Sequence, residues 1–335
     1  MAVDASRRVF VVLGVFRPDR DLFRLQIESL LAQSHADVIV VVSPDGPLDD
    51  ADAALVSEYG DSRFTLLNNA DRLGIHANFA RGLNAALAGS DRETDLFAFC
   101  DQDDFWHPNK IERQVARLAD SSVSLCHGDA RIVSRDGEVL ALSLFAHESR
   151  PRTATLADLL VANSVTGMTA MFRRDVAGAA SAFPMSSCRH MLHDHWTALV
   201  AALMGTICLI EEPLVDYVQH GESVMGAKPG QGMLSIRGGI VGDANYRSRC
   251  YRQYLWRRRA YGLLLEQFGH IPGVVGRLST PPLRMLFDCQ TSHYAGFALS
   301  AAYRLRGRWR EADQVWRLAH GKAMYCSRRA RTEGG

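Results

Sequence analysis

Three carboxylates in four positions, Asp101-Gln102-Asp103-Asp104, follow the apolar run Leu96-Phe97-Ala98-Phe99-Cys100. That run reads as a buried strand. The carboxylates therefore arrive at a strand end, where open α/β sheets hold their ligands. Carboxylates at this density repel one another, so the run implies a bound cation or a raised pKa. A calcium loop is one reading, because Glu112 stands twelfth counting from Asp101. Phe105 and Trp106, however, occupy positions where such a loop needs a ligand and a glycine. A phosphatase-type nucleophile would want a hydroxyl residue at Phe105. An acidic first turn of the helix that follows is the plain structural reading.

Elements must bring these residues together. Val9–Leu13, Val38–Val42 and Phe64–Leu67 read as further strands, separated by helical patterns over Asp21–Ala32, Asp49–Tyr59 and Ile75–Ala88. Strand alternating with helix predicts a mostly parallel sheet with helices on both faces. Beyond residue 120 the pattern changes to short strands, Val123–Cys126, Arg131–Val133, Val139–Leu142, Met168–Phe172, Ile207–Ile210 and Leu214–Val218, which predict a mixed extension of that sheet. Thr197–Leu203 reads as an apolar helix, and the last 100 residues as mostly helical. No Gly-x-Gly-x-x-Gly follows the first strand and no Walker loop occurs, which argues against a dinucleotide site or a P-loop. Seven scattered cysteines without a Cys-x-x-Cys pair suggest neither a zinc site nor a disulfide framework.

The net charge of +1 conceals a polarity. Residues 1–230 carry 31 acidic and 20 basic side chains, residues 231–335 only 6 acidic and 18 basic. An acidic body and a basic C-terminal third predict two parts with different partners. The boundary is expected near Gly226–Gly239, giving an acidic body over 1–228 and a basic helical region over 229–335. No apolar run approaches a bilayer span and no leader segment is evident, so a cytoplasmic location is expected.

Five segments in order resemble the inverting glycosyltransferases of family 2. They are Val11–Phe16, Val40–Gly46, Asn69–Gly74 followed by Asn78, Asp101–Asp104, and His193-Asp194-His195-Trp196. The resemblance covers about residues 8–225 and implies the GT-A fold, with a catalytic domain over 1–228 whose nucleotide-binding half covers about 8–120 and whose acceptor half covers about 121–228. It also implies sugar transfer from a nucleotide-diphosphate donor, a UDP- or dTDP-sugar, to a hydroxyl of a polysaccharide or lipid-linked glycan. Asp101–Lys110 and Gln219-His220-Gly221 look most like rhamnosyltransferase-type enzymes of bacterial surface-polysaccharide assembly, which would make dTDP-rhamnose a donor. By the same resemblance, Asp103 is a ligand of Mg²⁺ or Mn²⁺, with His220 as a further ligand or diphosphate contact. Asp101 holds the donor ribose, and Asp104 has no assigned role. Asp45 accepts from the N–H of a uracil or thymine ring, although Pro44 stands where the family often has a first acidic residue. Phe16 and Arg17 meet the base, Arg72 the base or a phosphate, and Asn78 ties its loop to its helix. Asp194 is the general base, with an N-cap as its structural alternative. Trp196 would pack under the sugar or acceptor, and Gly221–Gly232 would form a lid.

Arg247, Arg249, Arg252, Arg257, Arg258 and Arg259 are interleaved with Tyr246, Tyr251, Tyr254 and Trp256. They suit either a helix on an anionic membrane at the inner face of the cell, or a helix packed on protein with its arginines paired. Nucleic-acid binding is not expected, since no base-reading module is visible. Ala295–Arg304 and Arg310–Ala319 read as a helical hairpin turning near Gly307, which would pack on the core or form a homodimer. Two other functions share these features: a nucleotidyltransferase, whose Gly-rich basic first loop is missing after Leu13, and a catalytically silent GT-A scaffold.

Overall fold

The computed structural model describes residues 7–59, 62–183, 191–219, 244–288, 290–292, 294–305 and 308–333. The described residues within Met1–His147, Val165–Met185 and Met191–Lys228 form one compact unit; those within Glu148–Ser164 and Pro229–Gly335 form a second.

The first unit runs β1 (Val9–Val15), α1 (Arg20–Leu31), β2 (Val38–Pro44), α2 (Asp50–Glu58), β3 (Phe64–Leu66) and α3 (Ile75–Gly89). It continues with β4 (Leu96–Cys100), β5 (Phe105–Trp106), α4 (Lys110–Arg117), β6 (Val123–Ser134), β7 (Val139–Ala141) and α5 (Leu144–Glu148). Helix α6 (Leu156–Val161) belongs to the second unit. The chain then returns through a 3₁₀ turn at Gly167–Thr169 to β8 (Ala170–Arg173), α7 (Arg174–Ser181), α8 (His193–Met204) and β9 (Thr206–Gln219).

Among the described residues these strands make one sheet in the order β3-β2-β1-β4-β8-β6-β9-β5, with β7 beside β6. β1 is parallel to β2 and β4, and β2 to β3. β8 runs antiparallel between β4 and β6, while β6 and β9 are parallel. The continuous apolar strands follow from burial on both faces. From β1, Val9, Val11, Leu13 and Val15 join a core with Phe23 and Ile27 of α1, Leu55 of α2 and Ile111 of α4. The alternate residues face α3. Phe10 stacks on Phe97 with ring centres 5.4 Å apart, and Phe79 of α3 meets Phe99 edge-on at 5.4 Å.

Two sequence expectations need correction. Val123–Cys126 and Arg131–Val133 are parts of the single strand β6, and Ile207–Ile210 and Leu214–Val218 parts of the single strand β9. The polar residues that suggested breaks are bulges. Gly128 pairs with Ile210 and the next residue, Asp129, with Pro213, so Glu211 and Glu212 are looped past without ending the ladder. A bulge is where a strand tolerates proline.

The second unit comprises α6 with α9 (Ala244–Phe268), α10 (Val274–Leu278), α11 (Pro281–Phe287), α12 (Tyr294–Leu305) and α13 (Trp309–Glu333). The expected hairpin is present as α12 and α13, where Gly296 leaves no room for a side chain against Ala319; Gly307 lies outside the described residues. α6 is held by buried polar groups. Thr155 and Asp158 form a capping box at its start. Asp158 also accepts from the Tyr303 hydroxyl at 3.0 Å and pairs with Arg308 at 2.9 Å. Arg257 donates twice to the Val161 carbonyl, at 3.1 and 2.8 Å. Of the α9 residues that suit either a membrane surface or packing on protein, Arg257 is buried, as is Tyr254. Arg258 lies over the Tyr325 ring and Arg259 pairs with Glu266. Packing within its own unit, one of the two readings open for this helix, takes up much of it. Tyr246 falls where side chains lie outside the described residues. No described helix is long and apolar enough to cross a membrane.

Candidate active site

The parallel register sets up the site. Leu13 of β1 lies opposite Val42 of β2 and Cys100 of β4. Phe16, Asp45 and Asp101 therefore leave the sheet along one edge, as open α/β sheets arrange ligand-binding loops.

At the β2 end, Asp45 is buried, and its Oδ1 accepts from the backbone N–H groups of Leu73 and Gly74, both at 2.7 Å. Its Oδ2 faces the exposed Arg72, whose Nε is 3.7 Å away. Within this geometry Oδ1 is committed to shaping the 69–74 loop, and Oδ2 is the oxygen left beside Arg72. The Arg72 guanidinium also lies 4.1 Å from the centre of the Phe16 ring, and that of Arg17 5.3 Å. Arg17 has φ 44°, in the left-handed region that favours glycine. Asn78 binds the Ser43 carbonyl at 2.6 Å and accepts from its hydroxyl at 2.9 Å, so it fastens α3 to β2 rather than reaching outward.

At the β4 end, Gln102 was not singled out from the sequence. Its Oε1 accepts from the Phe16 N–H at 2.6 Å, and its Nε2 donates to the Phe16 carbonyl at 3.0 Å. A legible signal existed: it is the one uncharged side chain within the acidic run. Its neighbours are under electrostatic stress. Burial first, then the charges of Asp103 and Asp194, raises the Asp101 pKa to about 7. Asp194 is thereby brought into the field of the same run. Burial, with Asp103 and Asp101, pushes Asp104 well above the carboxylate range. Asp104 Oδ1 accepts from the Val218 N–H at 3.3 Å, while Oδ2 is buried with no hydrogen bond from a described residue.

Asp194 lies inside the first turn of α8, whose N-cap is Leu192. It is therefore not the cap. Its Oδ1 accepts from the following N–H of His195 at 2.6 Å. His193 is packed away from solvent, stacked on Phe79 at 3.7 Å and edge-on to Phe99 at 4.7 Å, and burial drives its pKa to about 3. It is a neutral packing group at any ordinary pH. Gly167 provides the clearance here: a Cβ at that position would stand 3.1 Å from His193 Nε2 and 3.5 Å from Asp194 Cβ. Trp196 is fully buried, which corrects the expectation that its ring underlies a sugar.

The expected divalent metal can be tested against these residues. His220 and the Gly221–Gly232 lid lie outside the described residues. Among the described residues, no three His, Cys, Asp or Glu side chains are grouped to hold a metal. The donor chemistry nonetheless fits a hard cation. Asp101, Asp103 and Asp104 offer oxygen only, and the buried Asp104 Oδ2 retains acceptor capacity.

The whole arrangement is the GT-A fold: a parallel α/β sheet with a mixed extension and an acidic run at the end of its fourth strand. Residues 20–179, just under half of the chain, match the profile described as glycosyl transferase family 2. It is 31% identical over 113 residues, 34% of its length, to the UDP-Glc:alpha-D-GlcNAc-diphosphoundecaprenol beta-1,3-glucosyltransferase WfgD of Escherichia coli. It is 24% identical over 224 residues, 64% of its length, to an uncharacterized glycosyltransferase of Nostoc sp.. These matches span 42% and 65% of the two relatives, less than two thirds of either. The crystal structure of residues 1–349 of S. aureus TarS is similar in fold, with a TM-score of 0.53 at 12% identity, covering 95% of this chain and 91% of that one.

Proposed function

We propose that this protein is an inverting, metal-dependent glycosyltransferase that moves a sugar from a UDP- or dTDP-sugar to a hydroxyl of a lipid-linked or polysaccharide glycan. One observation carries the reading. A line of contacts along the sheet edge joins Asp45, Arg72, Phe16 and Gln102 to the acidic run. Such a line suits an extended ligand with a flat base at one end and a diphosphate at the other. The base takes the Asp45 and Phe16 end, with Arg17 and Arg72 at its margin. The ribose meets Asp101. Asp103 would hold Mg²⁺ or Mn²⁺, with His220 as the further ligand that the resemblance implies, and the metal would supply a Lewis acid for the negative charge growing on the leaving diphosphate.

Asp194 faces the acceptor. It takes the proton of the attacking hydroxyl as the oxygen bonds to the anomeric carbon and the carbon–diphosphate bond breaks, in one displacement that inverts the centre. The curated relative named for a UDP-sugar donor and a diphosphoundecaprenol-linked acceptor supports this donor and acceptor class. A lipid-linked acceptor would bring the protein to the inner face of the membrane, where the exposed Arg249 and Arg252 would meet anionic headgroups. A dTDP-rhamnose donor and a homodimer belong to the same proposal.

The test is a nucleotide titration with and without Mn²⁺. UDP or dTDP should bind more tightly with the metal, and Asp103→Ala should abolish the difference. Asp194→Asn should keep nucleotide affinity and lower turnover by about 10²–10⁴-fold, the usual range for general-base catalysis. Metal-independent binding, or near-normal turnover of Asp194→Asn, would sink the respective assignment.

A further inference from the structure

The ladder between β1 and β4 ends at Leu13 and Cys100. Beyond Cys100 the chain turns away as the acidic run, while β1 continues beside β2 to Val15. Phe16 thus leaves the sheet with a backbone N–H and carbonyl that β4 no longer meets. The side-chain amide of Gln102 meets both, accepting from the N–H at 2.6 Å and donating to the carbonyl at 3.0 Å. A glutamine side chain carries its oxygen and nitrogen as a peptide does, so it replaces the missing strand for one residue. The next residue, Arg17, has φ 44° without being glycine. Such a backbone persists only where its surroundings over-determine it. The Gln102 clamp supplies that constraint and fixes the peptide from which the Phe16 ring projects under Arg72.

We infer that Gln102 is a positioning residue that sets the nucleobase end of the site in register with the diphosphate end. The inference rests on the nucleotide-sugar reading above. Gln102 need not touch the ligand: it holds the Phe16 platform at a fixed offset from Asp101 and Asp103. Asparagine is a methylene too short to span both Phe16 groups. Glutamate lacks the donor for the carbonyl and adds a fourth carboxylate to a run already strained by three. The role therefore selects glutamine specifically.

The experiment compares the parent chain with Gln102→Met, which fills the same space without either hydrogen bond, and with Gln102→Ala. UDP, dTDP and inorganic pyrophosphate are titrated calorimetrically with Mn²⁺, and thermal unfolding is recorded beside them. In Gln102→Met, affinity for the nucleoside diphosphate should fall about tenfold, the scale of two lost hydrogen bonds to backbone. Pyrophosphate affinity should stay within about twofold, because the acidic run is untouched. A folded Gln102→Met that binds UDP and dTDP like the parent overturns the inference. So does an equal loss for pyrophosphate, which would make Gln102 a support of the acidic run alone. Should Gln102→Ala fail to fold, the methionine variant carries the decision. A parent chain that binds pyrophosphate but neither UDP nor dTDP removes the nucleotide reading and the inference together.

Discussion

Lys110 shows how much a single residue can cost this fold. It is fully buried, with its ammonium 3.4 Å above the Trp106 ring and one hydrogen bond, at 2.8 Å, to Gln114 Oε1. Burial pulls its pKa down to about 7. The unfolded chain holds this proton up to about 10.4, so between these values the unfolded state binds more protons than the folded one. Stability therefore rises with pH through this window and is lost as pH falls through 7. Lys110→Met keeps the apolar stem and removes the titration. Chemical denaturation at pH 7, 8, 9 and 10 should give a rising trend for the parent and a flatter one for the variant. Parallel trends would mean that Lys110 stays charged throughout. At this scale the sequence disclosed residue types better than their duties. Asp45 was legible as a strand-end carboxylate, but the commitment of its Oδ1 to Leu73 and Gly74 depends on a loop 28 residues away. Gln102 was legible as the one uncharged side chain of the acidic run, but its duty is hidden locally because its partner lies 86 residues earlier.

Elements were legible where burial is two-sided. β1, β2 and β4 are unbroken apolar runs because helices cover both faces. β6 and β9 were misread as pairs of short strands because the bulges carry polar residues, which mimic loops in a local reading. The fit of α3 on the sheet can be tested at Gly82. A Cβ there would overlap Val12 Cγ1 and stand 3.0 Å from Ser43 Cβ, both on the strands beneath. Gly82→Ala gains helix propensity but must lift α3, so we expect a net loss of about 1–3 kcal/mol, the range for overpacking a core. Urea unfolding measures it; an unchanged midpoint would show that the strands yield without cost. Because Asn78 fastens the same helix to β2, the shift should also weaken nucleotide binding.

Over the whole molecule, the charge polarity read from the sequence takes a specific form. Several basic residues of the C-terminal third are not on display but serve inside the second unit. Arg257 is bound to Val161, Arg308 to Asp158, and the buried Lys322 donates to the carbonyls of Met285 and Thr291. Asp158 joins α6 to α12 and α13, so Asp158→Ala would remove its arm of the α6 capping box, take the acceptor from the Tyr303 hydroxyl and leave Arg308 with only the more distant Glu311. Removing one partner of a buried pair typically costs about 3–5 kcal/mol. Differential scanning calorimetry should show a transition lowered by several degrees, and an unaltered thermogram would refute the central role of Asp158. No local reading reveals that residues 148–164 pack with helices nearly a hundred positions later.

That separation has a consequence in time. The Val161 carbonyl and the Arg257 guanidinium that binds it are 96 residues apart. At about 5–20 residues per second of synthesis, α6 leaves the ribosome roughly 5–20 s before α9 exists to receive it. An apolar helix of six residues must wait through that interval while β8, α8 and β9 are being made. For those seconds the nascent chain exposes Leu159, Leu160 and Val161, all buried in the finished protein, and a chaperone that recognises short apolar segments would have its clearest opportunity there.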